Sequence, residues 1–307
     1  MFQIPIVFHP IYSQLTLPRN HRFPIEKYQA LFDRVLDQYP GDFKVHQVAQ
    51  PVHEDTLTKV HDRSYINDFI SGEISEKSMK RIGFPWTEQF VKRTRFAVAG
   101  TIKTAQLAFE HGIALNMTGG YHHAHPDFGS GFCVFNDLAL AAKQLLDNDQ
   151  ASRVLIFDCD VHQGDGTATC CASDSRIYTV SIHCEKNFPA RKQQSDWDIG
   201  VDKHLEDDAY LSIVSDTLET VISAFKPDFI IYDAGIDIHR DDDLGLINIS
   251  TEGVFARDKL VFNMAKNMAI PIMAVIGGGY QRDIDALTDV HQQLPRAARA
   301  IFGVNNR

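Results

Sequence analysis

Short apolar runs alternate along the chain with longer amphipathic stretches. IPIVF (4–8), ALNM (114–117), VLIF (154–157), IYTVSI (177–182), FIIY (229–232) and IMAVI (272–276) are almost continuously apolar, with little alternation between apolar and polar positions. Strands of that kind are buried on both faces, as in a parallel sheet. Between them the pattern predicts helices near 24–38, 88–110, 137–147, 207–225, 251–268 and 282–293, several preceded by Pro, Asn or Ser/Thr start signals. Strand then helix, repeated, predicts an α/β fold in which helices sandwich a parallel sheet. No internal repeat or Pro/Gly/Ser-rich linker interrupts this order, so residues 1–307 are expected to form a single domain. The stretch from Ser71 to Trp86 reads as a long irregular insertion, expected to serve as a lid or rim of a pocket.

The residues just beyond the strands point to chemistry, because open parallel sheets bind ligands at the carboxyl ends of their strands. Polar residues and glycines collect there after four of the apolar runs. They are Thr118-Gly119-Gly120-Tyr121-His122-His123, Asp158-Cys159-Asp160-Val161-His162, Asp233-Ala234-Gly235-Ile236-Asp237 and Gly277-Gly278-Gly279-Tyr280. Asp158, Asp160 and His162 are spaced two apart, so in extended chain they share one side. A single polar residue at a strand end usually pairs with Lys or Arg. Three in alternation after a wholly apolar strand favour a cation. With Asp237 from another strand end, Asp160 and His162 form an Asp₂His set that leaves coordination positions open, as catalysis requires. Zinc in such a site lowers the pKa of water from 15.7 toward roughly 7 and polarises a carbonyl; iron(II) is the other candidate.

Hydrolysis also needs proton transfer. His122 and His123 can supply it if carboxylates orient them, and Asp158 and Asp165 are the spare acids nearby. A structural histidine pair is the commoner arrangement, but its place between a Gly-Gly step and the metal loop favours function. Tyr280, after three glycines, can donate a hydrogen bond to a developing oxyanion. Gly131 permits close backbone approach, while Phe132 fits either a channel wall or plain core packing. Neither glycine run has the spacing of a nucleotide-binding loop.

Composition narrows the partners. Thirty basic against forty acidic residues give a formal charge of −10, which opposes nucleic-acid phosphates and attracts cationic partners such as lysine-rich peptides and polyamines. No stretch approaches the roughly 20 apolar residues of a membrane span, and the first residues lack a signal-peptide pattern, so a cytoplasmic protein is expected. The five cysteines are odd in number, contain no CxxC pair and read as buried thiols. No sequence feature fixes an oligomeric state.

Five motifs in order, GGYHHA (119–124), GSGFCVFND (129–137), DCDVHQGDGT (158–167), YDAGID (232–237) and GGGYQ (277–281), resemble the zinc-dependent histone deacetylase family. The resemblance spans most of the chain and implies an arginase-like α/β fold and hydrolysis of acyl-lysine amides. It places the metal on Asp160, His162 and Asp237. It makes His123, paired with Asp165, the general base and acid, and gives His122, paired with Asp158, an electrostatic role. Tyr280 would hold the substrate carbonyl, and Gly131, Phe132 and Phe188 would line an acyl-lysine tunnel. A structural potassium ion is implied beside the zinc, on Asp158, Ser181 and the carbonyls of Asp160, His162 and Ile182. NHRFP (20–24), the HQGDG form of the metal loop and the ending GGYQ look most like class IV deacetylases and their bacterial relatives, a branch that includes enzymes preferring long acyl groups. RIGFPW (81–86) shows no clear match to the rim aspartate that anchors substrate backbone in class I enzymes.

The substrate expected from this reading is acylated lysine in proteins. Small acylated amines such as acetylpolyamines are the alternative, and a non-catalytic module that binds acyl-lysine is the reading from a different class. Dinuclear manganese chemistry of the arginase kind would need more bridging aspartates than Asp233 and Asp237 provide.

Overall fold

The computed structural model describes residues 2–303. Among these, eight strands form one sheet: β1 (Ile4–Val7), β2 (Phe43–His46), β3 (Ile113–Asn116), β4 (Val154–Asp158), β5 (Ile177–Cys184), β6 (Trp197–Val201), β7 (Phe229–Asp233) and β8 (Ile272–Val275). Their order is β2-β1-β3-β8-β7-β4-β5-β6, and every neighbouring pair is parallel. The six apolar runs supply the six inner strands. β3, β4, β7 and β8 are buried at every position, which is why they carry no alternation.

The edge strands β2 and β6 escaped the sequence reading. FKVH and WDIGV expose one or more positions and are too mixed in polarity to announce a buried strand.

Helices cover both faces: α1 (Lys27–Gln38), α2 (Glu54–Leu57), α3 (Arg63–Ser71), α4 (Glu76–Ile82), α5 (Glu88–His111), α6 (Asp137–Asp147), α7 (Asp165–Cys171), α8 (Asp207–Phe225), α9 (Thr251–Asn267), α10 (Ile284–His291) and α11 (Gln293–Phe302). Local chemistry sets their ends. Thr87 Oγ1 accepts from Phe90 N to start α5, and Gly112 ends it at φ +82°. Asn136 and Ser250 cap α6 and α9 in the same way. The stretch from Ser71 to Trp86 is not irregular: it contains α4, started by Ser75 and ended by Gly83 at φ +91°. The single helix expected over 282–293 is α10, followed at once by α11. No helix among the described residues is long and apolar enough to cross a membrane.

Candidate active site

β4 ends at Asp158, and the chain then turns instead of continuing extended. Asp158 Oδ1 accepts from Asp160 N at 3.0 Å, and Asp160 Oδ1 accepts from His162 N at 3.0 Å. Two such side-chain turns in succession break the strand alternation expected over 158–162. They also separate Asp158 from its neighbours and swing Asp160 and His162 toward the end of β7. His162 Nδ1 lies 3.0 Å from Asp160 Oδ1 and 3.0 Å from Asp237 Oδ2. All three side chains are buried, with ligating atoms within 4.8 Å of one another.

The outer oxygens of this cluster are already satisfied. Asp160 Oδ2 accepts from Gly278 N at 2.8 Å, and Asp237 Oδ1 accepts from Val161 N at 2.9 Å. Burial, reinforced by Asp160, pushes Asp237 up to about 7. Burial opposes charge on His162, yet hydrogen bonds to the two carboxylates carry it to about 10. A buried group that draws in a proton this strongly, with two carboxylates and one imidazole nitrogen converging, is chemically suited to a divalent cation.

Behind the cluster stands Arg257 of α9, wholly buried. Its guanidinium donates to the carbonyls of Gly235 (2.7 Å), Ala234 (3.0 Å) and Cys159 (3.3 Å), and its Nε donates to Asp258. Tyr232 completes the group by donating to Asp258 Oδ1 at 2.7 Å. One buried cation thus ties the β4 and β7 loops that carry the three candidate ligands. Sequence reading missed it, since Arg257 lies mid-helix among ordinary charged residues.

The two histidines hang on a turn that Asp137 pins from behind. Asp137 accepts from Tyr121 N at 2.8 Å, Gly120 N at 3.2 Å and Thr101 Oγ1 at 2.6 Å. His122 Nδ1 donates to Asp158 Oδ2 at 2.7 Å, while its Nε2 stands 3.8 Å from Asp160 Oδ1. Burial works against a charge on His122, but Asp158 and Asp160 outweigh it and hold the imidazole well above its ordinary range. His123 Nδ1 donates to Asp165 Oδ1 at 2.6 Å. For His123, burial and the neighbouring His122 win, and its pKa falls to about 4. Adjacent imidazoles are therefore driven to opposite protonation states.

Asp233 joins neither pairing. It lies in register with Asp158 across β4 and β7, stands 3.9 Å from His122 Nδ1, and has no hydrogen-bond partner at either oxygen. Burial and repulsion from Asp158 push it well above the usual carboxylate range. On the other side of β4, Asp158 is in register with Ser181, and Ile182 follows in β5. Asp158, Ser181 and Ile182, three of the residues named for potassium, therefore lie at one end of β4 and β5.

Tyr280 closes the cluster from across the pocket. Its amide donates to Asp242 Oδ2 at 2.7 Å, and Lys27 Nζ, buried on α1, reaches the carbonyls of Gly277 (3.2 Å) and Gly279 (3.3 Å). Burial, with Asp160 and Asp237 nearby, raises the phenol well above its ordinary pKa, so it remains a hydrogen-bond donor. The cavity between Tyr280, His122, His123, Asp160 and Phe132 holds about 20 Å³.

Gly131 sits at φ +51° against His123, and Phe188, 44% exposed, stands edge-on to the same imidazole at 4.8 Å. Phe132 takes φ +67°, a conformation costly for a bulky residue. The 71–86 segment enforces it: Arg81 O and Ile82 O accept from Gly131 N (3.2 Å) and Phe132 N (2.7 Å). Phe84 and Phe23 pack on the Phe132 ring at 5.5 and 5.3 Å. The insertion expected to form a lid or rim of the pocket buttresses its wall through Phe132.

The sequence matches the Histone deacetylase domain family over residues 21–294. The chain belongs to the histone deacetylase family. Among curated relatives of this family member, an uncharacterized protein of Picosynechococcus sp. is 44% identical over 300 residues, covering 97% of this chain and 99% of that protein. Histone deacetylase 2 of Arabidopsis thaliana is 33% identical, over 74% of this chain and 61% of its own length. The acetoin utilization protein AcuC of Staphylococcus aureus is 32% identical, over 76% of this chain and 66% of its own. The chain thus spans about two thirds of the length of these last two. In fold it is similar to an acetylpolyamine aminohydrolase from Burkholderia pseudomallei (TM-score 0.79, 20% identity, 97% and 99% of the two chains). It is also similar to the HD domain of HDA15 (TM-score 0.82, 19% identity, 99% and 90%). These likenesses confirm an arginase/deacetylase-like sheet and a hydrolase family that acts on amides.

Proposed function

We propose that this histone deacetylase family member removes acetyl or longer acyl groups from lysine side chains of proteins, with residues 1–307 acting as one catalytic domain. The observation that carries this reading is the pair of His–Asp couples facing the Asp160–His162–Asp237 cluster, with the Tyr280 phenol across a cavity of about 20 Å³.

Asp160, His162 and Asp237 would hold zinc, or iron(II). The cation would supply Lewis acidity, polarising a carbonyl and acidifying water. His123, neutral and oriented by Asp165, takes a proton from the attacking water and delivers it to the departing lysine amine. The water oxygen first adds to the acyl carbon, moving the carbonyl π pair onto the substrate oxygen, and the C–N bond breaks as the carbonyl re-forms and the amine takes the proton. His122 remains charged and stabilises negative charge beside it. Tyr280 donates to the substrate oxygen as that atom becomes anionic. Gly131, Phe132 and Phe188 flank the lysine methylenes. A potassium ion on Asp158, Ser181 and the carbonyls of Asp160, His162 and Ile182 would stiffen the metal loop.

The motif details favour a class IV-like enzyme. The formal charge of −10 also suits small cationic amines, and acetylpolyamines are the second reading. The zinc-loaded protein should be assayed on lysine peptides carrying acetyl, butyryl, octanoyl and myristoyl groups, against acetylspermidine, with Asp160→Ala as control. Acetyl-peptide hydrolysis absent from the control supports the proposal. Preference for acetylspermidine moves the substrate to small amines, and no hydrolysis by metal-loaded protein overturns the enzymatic reading.

A further inference from the structure

Both oxygens of Asp165 are taken by imidazoles. Oδ1 accepts from His123 Nδ1 at 2.6 Å, and Oδ2 accepts from His125 Nε2 at 3.1 Å. His125 is only 6% exposed. Its other nitrogen, Nδ1, lies 2.9 Å from Thr169 Oγ1 on α7, and that hydroxyl also lies 2.9 Å from Gly166 O. The ring is stacked on Phe128 at 4.2 Å and 18°. Its main chain is fixed twice, with the amide donating to Phe128 O at 2.9 Å and the carbonyl accepting from His61 Nδ1 at 2.9 Å. This ring has little room to turn.

The proton count is consistent in either charge state. If the Thr169 hydroxyl donates to His125 Nδ1, the ring is neutral and keeps its proton on Nε2. If the hydroxyl donates to Gly166 O instead, Nδ1 donates to Thr169 and the ring is cationic. In both arrangements Nε2–H points at Asp165.

The other His–Asp couple shows why a second anchor matters. Asp158 is held by His122 at one oxygen and by the Asp160 amide at the other. Asp165 has no comparable backbone donor on its carboxylate among the described residues, and His125 occupies that place. We infer that His125 is a positioning residue for the proton relay: it fixes the carboxylate plane of Asp165, which in turn fixes the tautomer and aim of His123, with Thr169 as its own anchor. The role of His123 in that chain rests on the deacylase reading; the anchoring of Asp165 stands independently. His123 and His125 are two apart, the same alternation that drew attention to Asp158 and Asp160.

The test compares His125→Phe, which keeps a ring on Phe128 but loses the donor, with His125→Gln, which restores a donor near the Nε2 position. Loss of an orienting partner of this kind typically costs about 10-fold or more, so His125→Phe should lower kcat by that much on an acetyl-lysine peptide. KM and zinc affinity of the stripped protein should stay unchanged, and His125→Gln should recover most of the loss. In ¹⁵N-histidine-labelled protein, the His123 Nδ1–H resonance should shift or broaden in His125→Phe and return in His125→Gln. That readout needs no turnover, so inactivity of the wild type would sink the deacylase reading while leaving the anchoring testable. An unshifted resonance with wild-type kcat in folded His125→Phe overturns the inference, as does a His125→Gln variant no better than the Phe. Should His125→Phe not fold, Thr169→Val removes the partner of Nδ1 and should lower kcat at constant KM. Wild-type kcat and an unmoved resonance there would equally overturn it.

Discussion

Gly131 and His123 approach so closely that a methyl group on Gly131 would lie 2.6 Å from His123 Cδ2, and 3.2 Å from Phe188. The backbone there is also left-handed, φ +51°, which L side chains rarely adopt. Gly131→Ala must therefore displace the imidazole or unwind the wall beside it. A displacement of about 1 Å at a catalytic group can cost about 100-fold, so kcat/KM should fall by that order while zinc affinity, measured by competition with a chromophoric chelator, holds. Undiminished activity would show that His123 tolerates movement and is not the base.

Tyr280 offers a cleaner subtraction, because phenylalanine keeps the ring that packs 5.7 Å from Phe132 and removes only the donor. Loss of one preorganised oxyanion donor costs about 100-fold or more in kcat. KM for an acetyl-lysine peptide should change far less. A Tyr280→Phe variant with wild-type turnover would remove the phenol from the mechanism.

Much of this site was legible because its residues follow buried strands, whose continuous apolar runs mark both the strand and its carboxyl end. Asp160, His162 and Asp237 gather at those strand ends, while the His122–Asp158 and His123–Asp165 couples, both present in the structure, were implied only by the family resemblance. The supporting groups were not legible. Lys27, Arg257 and Asp137 act across long sequence separations, from α1, α9 and α6, and a charged residue in an amphipathic helix gives no sign that it points inward. The edge strands and the buttress formed by 71–86 were hidden for a related reason. Their conformations are set by what they pack against, while their own periodicity is weak.

Arg257 and Asp258 form an ion pair at 2.9 Å with both side chains wholly buried. Removing one partner strands the other charge, at a cost of about 3–5 kcal/mol. Arg257→Met should therefore lower the urea midpoint sharply, and Arg257→Met/Asp258→Leu should recover part of it. The double variant should still bind zinc more weakly than wild type, because Cys159, Ala234 and Gly235 lose their common donor. Full recovery of zinc affinity in the double variant would show that the guanidinium contributes stability alone.

His61 predicts how the fold responds to acid. Its Nδ1 donates to His125 O and its Nε2 accepts from Asn136 N at 2.9 Å, so the buried ring is neutral. Burial lowers its pKa from 6.5 to about 4, outweighing hydrogen bonds to the backbone of His125 and Pro126 that would raise it. The unfolded chain therefore binds the additional proton below pH 6.5. The contribution of His61 to stability is complete above that pH and is lost progressively as pH falls to about 4. At about 1.4 kcal/mol per pK unit, the loss amounts to about 3 kcal/mol. His61→Asn keeps a donor for His125 O but cannot titrate, so it should be less stable than wild type at pH 7 and show a flatter decline toward pH 4. Urea unfolding across this range measures both. Parallel declines in the two proteins would mean that His61 is not the proton acceptor, leaving other buried histidines with lowered pKa, His123, His183, His239 and His291, to account for the slope.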